Sequence, residues 1–129
     1  MNNADIRVLL VDDDDMIRDC IMAYLDDEGF SVRGAACGEE ALEIIHLLNP
    51  AVCISDMRLP GMSGEQFIAA AYALCPSTGY LLHTGMHYSL SDSLCAIGMT
   101  DDDILLKPIH DLSKLVRKIK SSAVAWSNK

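Results

Sequence analysis

Basic side chains are scarce in this chain of 129 residues: ten Lys and Arg stand against nineteen Asp and Glu, a formal charge of −9. Six of those ten cations lie from Lys107 onward, so most of the molecule repels a phosphate backbone, and nucleic acid is excluded as a direct partner. Long apolar runs are missing too. The opening residues have no basic stretch before a hydrophobic one, and no apolar run approaches the roughly 20 residues that a membrane span needs. The expectation is a cytoplasmic protein with no membrane partner. Paired cysteines are absent: Cys20, Cys37, Cys53, Cys75 and Cys95 are odd in number, scattered, and form no CxxC. They read as reduced core residues rather than as a disulfide framework. No glycine-rich phosphate loop follows the first apolar run, and Asp12 and Asp13 there would repel a nucleotide phosphate. No linker, repeat or low-complexity tract divides the chain, which is the length of one ordinary domain.

Half of the residues are apolar, and their spacing alternates between two patterns. Residues 8–11 are an unbroken apolar run ending in four aspartates, as a buried strand opening into a polar edge would. Ile17, Ile21, Tyr24 and Leu25 follow at helical spacing, with Gly29 as the helix stop. Strands are predicted again at 30–35, 51–55, 80–83 and 104–106, and helices at 38–48, 64–74, 91–97 and from Leu112 onward. Five strands alternating with five helices predict an α/β fold, a parallel sheet covered on both faces.

In such a sheet the carboxyl ends of the strands share one edge, where ligands bind. The first strand ends in Asp12 and Asp13, the third in Asp56, the fourth in Thr84 and the fifth in Lys107. Clustered carboxylates repel one another unless a cation sits among them, and hard oxygen ligands select magnesium or manganese. One lysine and one hydroxyl at the same edge could hold phosphoryl oxygens while a carboxylate attacks. Asp56 is the candidate nucleophile because it stands alone, whereas Asp12 and Asp13 sit together and suit a metal. Taken singly, Thr84 is more simply a strand-terminal threonine and Lys107 a solvated lysine. Asp14 and Asp15 read as acids favoured at a helix N-terminus. His46, His83, His87 and His110 lack metal-ligand spacing and read as structural or surface residues.

The segments VLLVDDD, DMRLPGMSG, HTG and LLKP, in that order, resemble the four signatures of response-regulator receiver domains of two-component systems, over residues 5–125. Residues 1–4 and 126–129 would then be tails. The resemblance implies a flavodoxin-like (βα)5 sandwich with strand order 2-1-3-4-5. It further implies a domain that is not a conventional enzyme, phosphorylated on Asp56 by a histidine kinase or a histidine phosphotransfer protein and read by a protein output partner, with homodimerisation open. Asp13, Asp56 and the backbone carbonyl of Arg58 would ligate magnesium, with Asp12 acting largely through water. Lys107 and Thr84 would hold the phosphoryl group, with the small Gly85 leaving room for Thr84 to move, and Lys107-Pro108 resembles the family's cis peptide. Two departures stand out. Ile104 occupies the position where the family carries a switching Tyr or Phe, and 98–103 is an acidic loop about two residues longer than usual. Without the ring, the coupling would run through ordering of 86–88, or the chain would be a receiver-like scaffold with no working phosphorylation switch.

Overall fold

The computed structural model describes residues 2–85, 89–107, 109 and 111–127. Five strands, β1 (Arg7–Val11), β2 (Ser31–Ala35), β3 (Val52–Asp56), β4 (Gly79–Thr84) and β5 (Ile104–Leu106), form one parallel sheet in the order β2-β1-β3-β4-β5. The crossovers carry α1 (Asp15–Asp27), α2 (Gly38–Leu48), α3 (Gly64–Leu74), α4 (Asp92–Ala96) and α5 (Leu112–Ser127). Three of these elements, α2, α3 and β5, have the limits expected from periodicity; the others differ at their ends, where caps and pairing decide.

Side-chain alternation sorts the strands into two cores. Leu9, Val11, Cys53, Tyr80 and Leu82 meet Ala41, Ile45, Phe67, Ile68 and Leu94 of α2, α3 and α4 on one face. Val8, Leu10, Val52, Ile54 and Leu81 meet Ile21 and Leu25 of α1 and Leu115, Ile119 and Ala123 of α5 on the other. Each such aliphatic burial contributes about 1.5–3 kcal/mol, and the central strand β3, covered on both sides, is buried along its whole length.

Local chemistry ends the helices where the strands need to begin. After α1, Gly29 takes φ +95°, its N–H donates to the Asp26 carbonyl (2.9 Å), and the Phe30 N–H donates to the Leu25 carbonyl (3.1 Å). This is a Schellman stop whose companion apolar pair, Leu25 and Phe30, is buried, and it delivers the chain directly into β2. Ser63 and Gln66 cap α3 reciprocally, the Gln66 N–H donating to Ser63 Oγ (3.1 Å) and the Ser63 N–H to Gln66 Oε1 (2.9 Å).

Three expectations change. Only Cys53 and Cys75 are core residues; Cys20 and Cys95 are exposed and Cys37 is half-buried. All five are free thiols. The supposed tail begins inside α5, where Trp126 is 3 % exposed and packs edge-on against Tyr80 (ring centroids 5.7 Å apart) and Tyr72 (6.3 Å). The long acidic loop is not open chain: Asp101–Asp103 form a 3-10 turn capped by Thr100, and Lys118 Nζ of α5 donates to the Asp102 carbonyl (2.6 Å). The segment 86–88, Pro108 and His110 lie outside the described residues, and with them the expected loop ordering and the Lys107-Pro108 peptide.

Candidate functional site

The sheet places the singled-out residues side by side at its carboxyl edge. Asp56 is the last residue of β3, Thr84 the last of β4, Asp12 and Asp13 follow β1, and Lys107 follows β5. The Lys107 N–H donates to the Thr84 carbonyl (2.7 Å), locking the last two strand ends together. Asp13, Asp56, Arg58, Thr84, Gly85 and Lys107 line one cavity of about 320 Å³. A carboxylate oxygen from each of Asp12, Asp13 and Asp56 lies within 4.8 Å of the other two.

The loop after Asp56 is tightly placed. Gly64 comes so close that a Cβ there would lie 2.1 Å from the Asp56 carbonyl oxygen, and its N–H donates to the Met57 carbonyl (2.8 Å). Only a residue without a side chain lets α3 start this near to Asp56. The Ser55 hydroxyl donates to the same Asp56 carbonyl (2.9 Å), so the backbone is held and the carboxylate projects into the cavity, 8 % exposed.

Charge is distributed unequally. Lys107 Nζ sits 3.0 Å from Asp56 Oδ2 and 3.7 Å from Asp12 Oδ2. Asp12 is 1 % exposed: its Oδ1 accepts from the Asp14 N–H (2.9 Å), but its Oδ2 accepts no hydrogen bond. Burial raises the Asp12 carboxyl above its ordinary value, with Asp56 and Asp13 pushing the same way, against the Asp14 N–H and Lys107. One ammonium faces three carboxylates, a local excess of negative charge that a hard divalent cation would relieve. The donor set therefore fits magnesium or manganese: oxygens only, clustered, with one buried oxygen that accepts no hydrogen bond. Arg58 lines the cavity two residues past Asp56, and its N–H reaches toward Asp56 Oδ1 at 3.5 Å.

Two residues of this edge escape sequence reasoning. Arg18 donates from Nη1 to the Asp12 carbonyl (2.7 Å) and pairs through Nη2 with Asp15 (2.6 Å), pinning the turn that presents Asp12 and Asp13. The Asp15/Arg18 spacing of three on a helix was its only available signal. His83 pairs in register with Asp56 and lies 3 % exposed on the α1/α5 side of β4, both ring nitrogens without a hydrogen-bond partner. Burial, and Lys107 beside it, lower its pKa to about 4. No sequence motif marks it.

Comparison with known proteins agrees with this geometry. The family described as the response regulator receiver domain matches residues 8–120. The cell cycle response regulator CtrA of Brucella ovis is 30 % identical in an alignment of 124 residues that covers 92 % of this chain and 53 % of that protein. The chain thus spans about half the length of the curated relatives it matches. Among solved structures, a CheY-like response regulator receiver domain protein from Methanospirillum hungatei superposes with a TM-score of 0.83 at 30 % identity, covering 95 % of this chain and 97 % of that one. The response regulator TrrA of Thermotoga maritima, solved in complex with Mg(2+)-BeF, gives 0.77 at 28 % identity, covering 90 % and 97 %. With the sheet order, the acidic edge and these likenesses in accord, the chain belongs to the receiver domains of two-component response regulators.

Proposed function

We propose that this domain accepts a phosphoryl group on Asp56 from the phosphohistidine of a histidine kinase or a histidine phosphotransfer protein, and thereby changes its binding to an output protein. The observation that carries the reading is the convergence of three carboxylate oxygens within 4.8 Å of one another, with Lys107 at 3.0 Å from Asp56. In the transfer, an Asp56 oxygen forms a bond to phosphorus as the bond from phosphorus to the donor's ring nitrogen breaks. That nitrogen keeps the electron pair, and because the donor ring carries a proton on its other nitrogen before transfer, it leaves as neutral imidazole. Charge accumulates on the phosphoryl oxygens, and Lys107 and Thr84, which line the same cavity as Asp56, would receive it. Asp13, Asp56 and the Arg58 carbonyl would hold magnesium, with Asp12 acting largely through water; the ion when bound supplies Lewis-acid neutralisation of the same oxygens.

Lys107 releases Asp56 Oδ2 as it turns to the incoming group, a small movement since both already line one cavity. Ile104, half-buried at the start of β5, offers no ring to swing inward, so output coupling runs through the strand ends joined by the Lys107–Thr84 backbone bond. Acetyl phosphate with magnesium is expected to add one phosphoryl group to the intact chain, read by mass, and Asp56→Asn to abolish the addition. An equal gain in the Asn variant would reject Asp56 as the acceptor.

A further inference from the structure

The four aspartates that follow β1 do not share one fate. Asp12 is buried, Asp13 and Asp14 are exposed, and Asp15, the first residue of α1, has a side chain 79 % exposed. One side chain from the first turn of the helix gathers them. Arg18 donates from Nη1 to the Asp12 carbonyl (2.7 Å) and from Nη2 to Asp15 Oδ1 (2.6 Å), so its planar fork spans both ends of the run. Two more bonds complete the turn: the Asp12 N–H donates to the Ala35 carbonyl beside it (3.1 Å), and the Asp14 N–H to Asp12 Oδ1 (2.9 Å). Strand β2 leaves room for the arginine, since a Cβ at Gly34 would lie 3.1 Å from Arg18 Cδ.

A fixed cation beside a cation site is electrostatically unfavourable, and Arg18 adds its charge to that of Lys107. By charge alone, Arg18 would weaken the binding of a divalent ion. Asp15, which the sequence presents as an acid favoured by the helix dipole, here offsets part of that charge. What Arg18 supplies is geometry. The Asp12 carbonyl lies in the planar peptide that joins Asp12 to Asp13, so a hydrogen bond to it fixes the direction in which both side chains leave the backbone.

We propose that Arg18 is a positioning residue of the cation site: through the Asp12–Asp13 peptide it presents both carboxylates to the ion together, with Asp15 masking its charge. This inference rests on the reading that magnesium binds among Asp12, Asp13 and Asp56, and is independent of which phosphodonor serves Asp56.

The test is Arg18→Met, which keeps an unbranched stem over Gly34 and removes both donors and the charge. Magnesium binding to the intact chain is followed by NMR through the Asp13 and Asp56 amide signals, and hydrogen exchange of the Asp14 amide is measured without metal. Positioning and charge differ in sign. Positioning predicts a magnesium dissociation constant about three- to tenfold higher in the variant, the worth of one hydrogen bond, whereas charge acting alone predicts a lower one. The Asp14 amide should also exchange faster in the variant, while the Ile54 and Leu81 amides of the central strands keep the parent's rates, which separates a local hold on the turn from a loss of overall stability. The proposal is overturned if Arg18→Met binds magnesium as tightly as the parent or more tightly, if its Asp14 amide exchanges at the parent's rate, or if all three amides accelerate alike. Magnesium that shifts neither Asp13 nor Asp56 in the parent overturns the site reading itself, and the Asp14 exchange, which needs no ion, tells that failure apart from a failure of Arg18 to hold the turn.

Discussion

Replacing His83 by leucine is expected to stabilise the domain and to remove most of its loss of stability in mild acid. The imidazole lies buried beside Leu81 on the α1/α5 face, and its pKa is lowered from 6.5 to about 4, first by desolvation and then by Lys107. The unfolded chain therefore takes up the proton as pH falls below about 6.5, while the folded protein refuses it until about pH 4, so stability is greatest above this window and falls through it. At 1.36 kcal/mol per pKa unit, the loss attributable to His83 is about 1 kcal/mol near pH 5.5 and about 3 kcal/mol near pH 4. Asp12 works in the opposite direction, since its raised carboxyl pKa means that the folded state gains a proton before the unfolded chain does. That contribution is present in both proteins and cancels in their difference. Urea unfolding of parent and variant, in chelator, from about pH 8 to about pH 4.5, with the buried Trp126 as the fluorescent reporter, measures the difference directly. The parent should lose the stated free energy relative to His83→Leu, which should also be more stable by about 1–3 kcal/mol at neutral pH, where an unsatisfied buried ring is exchanged for an aliphatic side chain. Two parallel stability curves over the window would refute the argument that His83 is buried neutral and unsatisfied.

Magnesium should raise the unfolding free energy by about 2.7 kcal/mol when its concentration is a hundredfold above the dissociation constant, and chelation should return it. The affinity should fall as pH drops through the raised pKa of Asp12, because protonating that buried carboxyl removes a negative charge beside the ion, and calorimetry in two buffers should detect proton release on binding in that range; pH-independent binding would place the ion elsewhere. Trp126→Ala should cost about 3–5 kcal/mol in urea unfolding, since the ring is buried between the aromatic rings of Tyr72 and Tyr80; a change under about 1 kcal/mol would restore the view of 126–129 as a tail.

Much of this architecture was legible before any coordinates. Apolar runs of strand length alternating with helical stripes determined five strands, five helices and their parallel arrangement, because those signals are local: a strand that ends in aspartates meets water there wherever it is packed. The chemistry at the strand ends was legible for the same reason, and Asp12, Asp13, Asp56, Thr84 and Lys107 do share one edge. Tertiary structure alone decided which of those groups lost their water. Asp12 is buried with Oδ2 accepting no hydrogen bond, next to Lys107 from a distant segment, and no property of the acidic run 12–15 distinguishes it from its exposed neighbours. His83 reads as an ordinary residue until the Asp56–His83 register and the arrival of α1 and α5 enclose it. Trp126 and the cysteines were misplaced for a kindred reason: burial belongs to a pair of surfaces, and one chain segment read alone shows only its own.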